Sequence, residues 1–420
     1  MEATQSTQLN APQNRPSRLS CKLRLLESIF VRQLAKLQGG CIEFTSLSGR
    51  RQLLGNPQFE AVELHIHHAN FYATVFAGGS VGFGEAYQAA QWSTNDLPAL
   101  LTLMARNQQD LGRIRKGFSW LQQRINRLYH QARKNTLQNS RENIQAHYDL
   151  SNDFYQCFLD ASMTYSSALF TDKAQSLEAA QMAKIDRMLD LAEIPAGGSI
   201  LEIGTGWGAL ALRAAERGFQ VKTITLSQAQ YNYAQQRFLN AGRREAIDLQ
   251  LQDYRTLRGQ YDAIVSCEMI EAVGKEYLDS YFEVIAACLK PTAKAVIQAI
   301  TIPDERYAAY CRQCDWIQKH IFPGGHLPSP GALQRSVSRT ACLKWLSSAG
   351  FGHDYARTLQ HWFKRFNAAN TQIHNMGFDA AFCRKWNYYL AYCEAGFTAE
   401  LIDVQHLVVQ RMAQTSGILH

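Results

Sequence analysis

The amino-acid sequence predicts an α/β protein in which a helix-covered parallel sheet follows a small α+β domain. From residue 142 to residue 300, strand-like apolar runs alternate with helical patterns, an order typical of parallel sheets. Within this region, a buried strand at 199–203 leads into a glycine-rich turn and then into a helix rich in Ala and Leu. Residues 301–420 have mostly helical patterns and end in an apolar run, 404–409, that fits a strand.

Bulk composition excludes several classes of protein. The chain has 420 residues, 46% of them hydrophobic, and a net charge of +7, which describes an ordinary globular protein of two or three domains. Residues 1–20 are polar and lack the apolar segment of a secretory signal, so we expect a disordered tail and a cytoplasmic protein. No apolar run reaches the 18 residues of a membrane span.

The small α+β domain is predicted over residues 21–105. Short alternating apolar runs predict strands, separated by glycine pairs at 39–40 and 78–79, and a helix follows at 97–106. The runs predicted as strands are 41–44, 62–66 and 71–76. Three histidines, His65, His67 and His68, lie in this domain without a carboxylate or Cys at ligand spacing, so we expect no metal site.

A basic segment, residues 106–141, carries the net charge of the chain. It holds nine Lys and Arg residues and one acid, Asp110, and its apolar residues recur on one face of a predicted amphipathic helix. One interpretation is a helical linker that docks on an anionic membrane surface, with each basic residue adding on the order of 1 kcal/mol. The alternative is a solvated linker helix packed on its own protein. Aromatic and basic residues do not interleave, so we expect no nucleic-acid partner.

The glycine-rich turn favours S-adenosylmethionine over a dinucleotide as its ligand. The spacing Gly204, Gly206, Gly208 is GxGxG and not the GxGxxG of dinucleotide folds. Glu202 lies on the strand just before the turn, where it can interact with the methionine end of the cofactor. The next strand, 221–226, ends without the acidic residue that a dinucleotide ribose needs.

A third strand–turn unit follows this pair. Asp253 stands close to a strand end, a common position for an adenine contact in methyltransferases, although a helix N-cap is the alternative interpretation. An apolar strand, 261–266, comes next. The three units together predict a class I methyltransferase fold, which is Rossmann-like.

Six spaced motifs also resemble one family, the cyclopropane-fatty-acyl-phospholipid synthases and their mycolic-acid and methyl-branching relatives. The resemblance covers most of residues 40–412, and GSVGFGEAY at 79–87 resembles the end of the family's N-terminal domain. The motifs, in order, are ENIQAHYDLSNDFY (142–155), MTYSSALF (163–170), EIGTGWG (202–208), LQDYR (251–255), EMIEAVG (268–274) and WIQKHIFPGG (316–325).

The resemblance implies an activity and a domain organisation. Residues 142–420 would form an S-adenosylmethionine-dependent methyltransferase domain with an acyl-chain site, and residues 21–105 would face lipid. The enzyme would transfer a methyl group to the cis double bond of an unsaturated phospholipid acyl chain. Loss of a proton from the resulting carbocation would close a cyclopropane ring, with a bound bicarbonate as the proton acceptor. Such an enzyme would associate peripherally with the inner membrane.

The resemblance also implies a set of cofactor contacts. Gly204 and Gly206 would lie beside the methionine moiety, and Tyr254 would contact the adenine. Plain packing at a strand end is an equal alternative for Leu226, and a solvated helix face is the alternative for Gln230. The further residues implied are Tyr165 and Ser166, lining the cofactor site, and Thr225, Leu226 and Gln230, on the ribose and adenine side.

Glu271 is the main catalytic candidate. It follows an apolar strand within Met-Ile-Glu-Ala-Val, and an ionised carboxylate among apolar neighbours is costly unless it is paired or hydrogen-bonded. It matches the glutamate of the family's anion site, Tyr355 matches the tyrosine of that site, and Ile300 would offer a backbone contact. Glu268, three residues earlier, is assigned no role.

Two positions depart from the family pattern. Ser167 stands where the family has Cys, and Gln298 stands where it has His. Both are neutral hydrogen-bonding residues, so an anion site can survive, but Gln298 cannot titrate near neutral pH. The base is then either bicarbonate or another group. A product without ring closure, a methylene- or methyl-branched chain, is therefore an alternative to the cyclopropane.

Other functions remain open at this stage. One is a methyltransferase for a soluble metabolite, against which the N-terminal extension argues. Another is a lipid-binding protein with a degenerate methyltransferase domain, against which the intact glycine turn and Glu271 argue. The sequence leaves the choice between a monomer and a homodimer open.

Overall fold

The computed structural model describes residues 20–108 and 150–413. The first stretch forms an α+β unit whose four-stranded sheet has the order β2-β1-β3-β4, with β1 parallel to β3 and the other pairs antiparallel. Its elements are α1 (Cys21–Leu34), β1 (Cys41–Thr45), β2 (Arg51–Gly55), β3 (Ala61–Ile66), α2 (Asn70–Gln88), β4 (Trp92–Ser93) and α3 (Leu97–Arg106).

One predicted strand of this unit is wrong. Residues 71–76 lie in helix α2, which continues through the glycine pair with a kink at Gly79, where φ is +58°. Phe71 and Tyr72 are both buried and both pack edge-on against Phe30 of α1. Adjacent residues can share a helix's buried side when another helix covers it, so this tertiary contact outweighs the strand propensity of the run.

The second stretch builds a seven-stranded sheet of order β10-β11-β9-β8-β5-β6-β7. The strands β5 to β9 are parallel, and β11 runs antiparallel between β9 and β10. The strands are β5 (Ser199–Ile203), β6 (Gln220–Thr225), β7 (Ile247–Leu251), β8 (Tyr261–Cys267), β9 (Leu289–Thr301), β10 (Leu343–Gly350) and β11 (Asp403–Arg411). The predicted α/β class is confirmed, and the run at 404–409 is the centre of β11.

Helices cover both faces of this sheet. They are α4 (Asn152–Gln156), α5 (Leu177–Leu191), α6 (Ala209–Glu216), α7 (Gln228–Asn240), α8 (Leu278–Cys288), α9 (Asp304–Tyr310), α10 (Trp316–His320), α11 (Pro330–Arg339), α12 (Gly352–Ala368), α13 (Asn370–Asn375) and α14 (Ala380–Thr398). Helices α5, α6 and α7 pack on one face, and α8 and α11 pack on the other. The strand order reverses between β5 and β8, and ligands of such sheets bind beyond the carboxyl ends of the strands at this point.

The α+β unit packs on the helices that follow the sheet. Its buried residues share one apolar core with α12 and α14. A Cβ at Gly84 of α2 would meet Trp316 and Tyr388 at 2.6 Å, so only glycine permits this approach. Glu85 adds an ion pair with Lys319 at 2.5 Å. Trp316 therefore belongs to the junction between the two regions.

No helix in the described parts of the chain is long and apolar enough to cross a membrane. The predicted amphipathic linker lies outside the described residues beyond position 108, as do residues 1–19 of the predicted tail.

Candidate active site

The turn after β5 forms an open cradle. Gly204, Gly206 and Gly208 have φ values of +102°, +53° and +87°, a backbone conformation that glycine adopts without strain. The carbonyl of Ile224 in β6 accepts the backbone N–H groups of Gly204 and Thr205, which ties the turn to the sheet. A Cβ at Gly206 would meet no protein atom within 4 Å, so the space in front of this residue is open. The turn therefore leaves room for a ligand against its backbone.

Glu202 lies at the end of β5, just before this cradle, and is bonded to the neighbouring strand. Its side chain is 2% exposed and accepts a hydrogen bond from the hydroxyl of Thr223, its cross-strand partner on β6. Burial raises the pKa of Glu202 to about 8, although the Thr223 bond and the charge of Lys184 oppose the rise. Glu202 thus supports the turn from the sheet, and its predicted contact with the methionine end stays a prediction.

The end of β6 is organised by side-chain hydrogen bonds. Thr225 donates through Oγ1 to Oε1 of Gln230 at 2.9 Å, and Ser227 caps α7 by accepting the N–H of Gln230. Both Thr225 and Gln230 are buried, which removes the solvated-face interpretation of Gln230. Leu226 is half-buried at the same turn.

Asp253 and Tyr254 follow β7, at the same edge of the sheet as the cradle. The carboxylate of Asp253 caps a short 3-10 turn at Tyr254–Thr256 and pairs with the Arg255 guanidinium at 2.6 Å. The N-cap interpretation is therefore confirmed, while an adenine contact stays a prediction. The hydroxyl of Tyr254 is buried and has no hydrogen-bond partner among the described residues. Burial raises its pKa to about 12, so this phenol stays protonated and can donate to a ligand.

The segment 165–167 runs between the cradle and the C-terminal helices. Tyr165 shares a hydroxyl hydrogen bond of 2.7 Å with Tyr389 of α14, and its ring centroid lies 5.3 Å from that of Trp362 in α12. Ser166 is buried, and its Oγ accepts from Nζ of the buried Lys184 at 2.7 Å. Ser167 is also buried, and its hydroxyl donates to the carbonyl of Ala168. We had expected this hydroxyl to face a bound anion, and the structure gives it this backbone partner instead.

Glu268 follows β8 directly and is the centre of a hydrogen-bond cluster. Its Oε1 accepts the backbone N–H of Ser167 at 2.9 Å and Nε2 of Gln298 at 2.7 Å. Its Oε2 accepts the hydroxyl of Tyr355 at 2.7 Å. Burial raises the pKa of Glu268, and these three donors oppose the rise. Three of the residues predicted to surround a bound anion, Ser167, Gln298 and Tyr355, thus donate to a carboxylate of the chain itself.

Glu271 lies on the next turn and has a different environment. Its Oε1 accepts the backbone N–H of Ile300 at 2.5 Å, as the predicted backbone contact requires. Its Oε2 is buried without a hydrogen-bond partner in the described residues. Burial, together with the charge of Glu268, raises the pKa of Glu271 to about 8. At neutral pH this carboxyl is therefore mostly protonated.

Gln298 is held in one orientation by a residue that the sequence did not single out. His406 of β11 is 1% exposed, and burial lowers its pKa to about 3, so its imidazole is neutral. Its Nε2 lies 2.9 Å from Oε1 of Gln298, and because this oxygen can only accept, Nε2 carries the proton. The amide nitrogen of Gln298 consequently faces Glu268.

Aromatic side chains line the region next to these carboxylates. Tyr355 stacks on Phe397 with ring centroids 4.5 Å apart and meets Trp362 edge-on at 6.1 Å. Trp362 also contacts Tyr165, which completes a continuous aromatic surface. We name these four residues, Tyr165, Tyr355, Trp362 and Phe397, the aromatic wall. Such a surface suits an apolar chain and can stabilise positive charge through its ring faces.

Two predicted ligands can be tested against these residues. S-adenosylmethionine fits, because the turn offers open backbone at Gly206 and the Tyr254 hydroxyl offers an unused donor. Bicarbonate does not fit the expected position. The N–H of Ser167, the amide of Gln298 and the hydroxyl of Tyr355 all donate to Glu268, while the N–H of Ile300 donates to Glu271.

Comparison with known proteins agrees with this architecture. A family defined as mycolic acid cyclopropane synthetase matches residues 135–407. The chain is 41% identical over 352 residues to a tuberculostearic acid methyltransferase of Mycobacterium tuberculosis, covering 82% of each chain. It is 32% identical over 354 residues to the cyclopropane-fatty-acyl-phospholipid synthase of Escherichia coli K12, covering 83% of this chain and 88% of that protein.

Solved methyltransferase structures also match this chain. A mycolic acid cyclopropane synthase complexed with SAH and CTAB matches with a TM-score of 0.61 and 31% identity, covering 64% of this chain and 98% of that one. Coclaurine N-methyltransferase, bound to N-methylheliamine and SAH, matches with a TM-score of 0.59 and 17% identity, covering 79% and 99%. At that identity, the second likeness concerns the fold alone.

Proposed function

The chain belongs to the mycolic acid cyclopropane synthetase family of S-adenosylmethionine-dependent methyltransferases, and we propose that it methylates the cis double bond of an unsaturated phospholipid acyl chain. One observation carries this proposal. The aromatic wall and two glutamates, Glu268 and Glu271, lie at the carboxyl end of the sheet beside the cofactor cradle. This arrangement suits an apolar substrate that becomes cationic and then loses a proton.

The cradle residues would hold the cofactor, which supplies an electrophilic methyl group when it is bound. The backbone at Gly204 and Gly206 permits close approach, and the turn is tied to β6. Thr225, Gln230 and Tyr254 would face its ribose and adenine side. Because an alkene attacks this methyl group directly, the protein needs no nucleophilic side chain, and its contribution is positioning and the exclusion of water.

The aromatic wall would bind the acyl chain at its double bond. Methylation leaves a carbocation on the neighbouring carbon, and the ring faces of Tyr165, Tyr355 and Trp362 can stabilise that charge without adding to it. A dry surrounding also prevents water from capturing the cation. The burial of Tyr355 and Trp362 supports this role.

The fate of the cation determines the product. Loss of a proton from the new methyl group, with bonding of that carbon to the cationic carbon, closes a cyclopropane ring. A 1,2-hydride shift before the same proton loss places the double bond on the methyl carbon and yields a methylene branch. We propose the cyclopropane as the product. The methylene-branched chain is the second candidate, favoured by the 41% identical relative, whose name describes a methyltransferase.

We also propose that the α+β unit meets the lipid surface. Three large apolar side chains, Leu25, Leu53 and Phe59, are 62%, 60% and 48% exposed on this unit. The exposed Arg50 and Arg51 lie close to Leu53 in the chain and can attract anionic headgroups. Neutralising several arginines of the basic segment 106–141 should weaken binding to anionic vesicles without changing cofactor affinity.

One experiment tests the proposed function. The purified protein is incubated with S-adenosylmethionine carrying a deuterated methyl group and with vesicles of dioleoyl phosphatidylglycerol, and in a second arm with free oleic acid. Mass spectrometry of the fatty acid methyl esters should show labelled product from the vesicles. Ozonolysis then distinguishes the products, because it cleaves a methylene branch and leaves a cyclopropane intact. Product from free oleic acid alone would remove the phospholipid assignment. A protein that binds no S-adenosylmethionine in calorimetry would instead be a lipid-binding protein with a degenerate domain.

A further inference from the structure

The hydrogen bonds around Glu268 suit a residue that takes part in the reaction better than one that only supports the fold. Three donors from three separate segments converge on its carboxylate: Ser167 N–H, Gln298 Nε2 and Tyr355 Oη. Three hydrogen bonds to a carboxylate stabilise its ionised form. The residue as a whole is nevertheless only half-buried.

The backbone at Glu268 is strained to achieve this position. Its φ is +51°, a left-handed conformation that costs a non-glycine residue about 1 kcal/mol. The backbone N–H of Glu268 donates to the carbonyl of Gln298 at 2.8 Å, which holds the residue at the end of β8. Strain of this kind persists where the surrounding structure compensates for it, and it concentrates at functional sites.

The environments of Glu268 and Glu271 also favour different protonation states. Two nearby carboxylates do not both ionise readily, and the one with more donors keeps its charge. Glu268 has three donors, while Glu271 has the Ile300 N–H and a buried Oε2 without a partner among the described residues. The hydrogen bonds therefore favour ionisation of Glu268 over ionisation of Glu271.

The position of Glu268 links the cofactor cradle to the aromatic wall. Met269, the next residue, contacts the cradle closely enough that a Cβ at Gly204 would meet its side chain at 3.3 Å. On the other side, Tyr355 belongs to the aromatic wall and donates to Glu268. A proton released from a newly added methyl group would leave in this region.

We propose that the Glu268 carboxylate is the catalytic base and takes the place of a bound bicarbonate, so that the enzyme needs no dissolved anion. This inference rests on the proposed function. In the step, a C–H bond of the new methyl group breaks, and its electron pair forms the ring bond or the methylene double bond. The proton bonds to a carboxylate oxygen of Glu268, and it passes to water after the product leaves.

The central test compares Glu268→Gln with Glu394→Gln. Glutamine at 268 keeps the size of the side chain but cannot accept the proton, so turnover should fall roughly 10²–10⁴-fold, the range that general-base catalysis contributes. Affinity for S-adenosylmethionine, measured by calorimetry, should stay unchanged and shows that the variant is folded. Glu394 is the matched control because it is buried on α14 and accepts from Gln360 at 3.1 Å, a bond separate from those of Glu268. Its variant should keep wild-type turnover.

A second variant, Glu268→Gly, tests for rescue. Glycine suits the left-handed backbone, and its missing side chain leaves space among the three donors. Added formate or bicarbonate should restore activity to Glu268→Gly and should not restore it to Glu268→Gln, whose amide fills that space. Wild-type enzyme in carbonate-free buffer should keep full activity.

The outcomes separate the two proposals. An active wild type with an equally active Glu268→Gln variant would overturn the role of Glu268 and leave the proposed function standing. A wild type that needs bicarbonate, or a Glu268→Gly variant that binds cofactor but recovers with neither anion, would also overturn it. A wild type that methylates no acyl chain would overturn the proposed function and, with it, the reaction in which Glu268 acts.

Discussion

One glutamate lies at the carboxyl end of β5 and another at the carboxyl end of β8. The two differ in burial, in backbone conformation and in their hydrogen-bond partners. Glu202 lies within β5, is 2% exposed and is bonded to its cross-strand neighbour Thr223. Glu268 lies one residue beyond β8, has a strained backbone and remains half-buried. Glu202 is bonded by one neighbouring strand, whereas Glu268 is bonded by Gln298 of β9 and by two residues outside the sheet, Ser167 and Tyr355.

This difference shows how one residue type serves two purposes at one edge of a sheet. A carboxyl that burial keeps mostly protonated at neutral pH, as at Glu202, supports a backbone turn. A half-buried carboxylate with three donors, as at Glu268, is the proton acceptor that we propose. The charge of Lys184 acts on both carboxyl groups. Changes at the β5 end should therefore affect cofactor binding, and changes at the β8 end should affect turnover.

The largest effect is expected at the β5 end. In Gly206→Val, a branched side chain on a left-handed backbone would project into the open space of the cradle. Affinity for S-adenosylmethionine in calorimetry should fall by at least roughly 100-fold, or about 3 kcal/mol. Gly218→Val is the control, since Gly218 also has positive φ and open space but follows α6, away from the cradle. Equal loss of affinity in both variants would attribute the effect to backbone strain alone.

At the β8 end, Tyr355→Phe removes one donor from Glu268. A hydrogen bond to a charged group contributes about 1.5–3 kcal/mol, so turnover should fall roughly 10- to 100-fold while cofactor affinity is kept. Tyr72→Phe is the matched control, because Tyr72 is also buried and donates to a glutamate, Glu27 at 3.2 Å, in the α+β unit. A Tyr355→Phe variant with normal turnover but weak cofactor binding would contradict the proposal that the β5 end governs cofactor binding and the β8 end governs turnover.

Thr223→Val should have a smaller effect, mainly on stability. The variant keeps the shape of the side chain but removes the hydrogen bond to Glu202, whose buried carboxyl then loses a partner. The free energy of unfolding should fall by about 1–3 kcal/mol, measured by denaturant titration, with only a modest change in turnover. A large loss of turnover with unchanged stability would mean that Glu202 takes part in the chemistry.

The last prediction concerns the pH dependence of stability and Glu271. Its pKa in the folded protein is about 8, against an ordinary value of 4.5, so the folded state binds a proton that the unfolded chain releases. Between these values, stability should fall as pH rises, because the unfolded state holds fewer protons. Glu271→Gln lacks this proton, so its Tm should decline less between pH 5 and pH 8 than that of the wild type. Parallel curves would show that Glu271 is already ionised in the native protein.

The candidate site was only partly predictable. Motif resemblance grouped Ser167, Gln298, Tyr355 and Ile300, and the structure places the first three around Glu268 and Ile300 against Glu271. The structure assigns the centre of the group to Glu268, to which no role was given. The sequence pattern that could have identified Glu268 is the pair of glutamates three residues apart after a buried strand. Only Glu271 of this pair was taken as a catalytic candidate. His406 gave no signal, since a histidine on an apolar strand is ordinarily a core residue.

The fold class and the position of the glycine-rich cradle could both be predicted from the amino-acid sequence. Both depend on local order: strands and helices alternate along the chain, and only glycine suits the positive φ values of the turn after β5. A strand assignment at 71–76 failed where helix α1 decided the packing.

The hydrogen-bond environment of each carboxylate depends on the assembled tertiary structure. The donors to Glu268 come from positions 167, 298 and 355, which are distant in the chain and meet only when the sheet and its helices assemble. A carboxyl group's charge depends on its burial and its donors, and neither quantity is a property of the neighbouring residues in sequence.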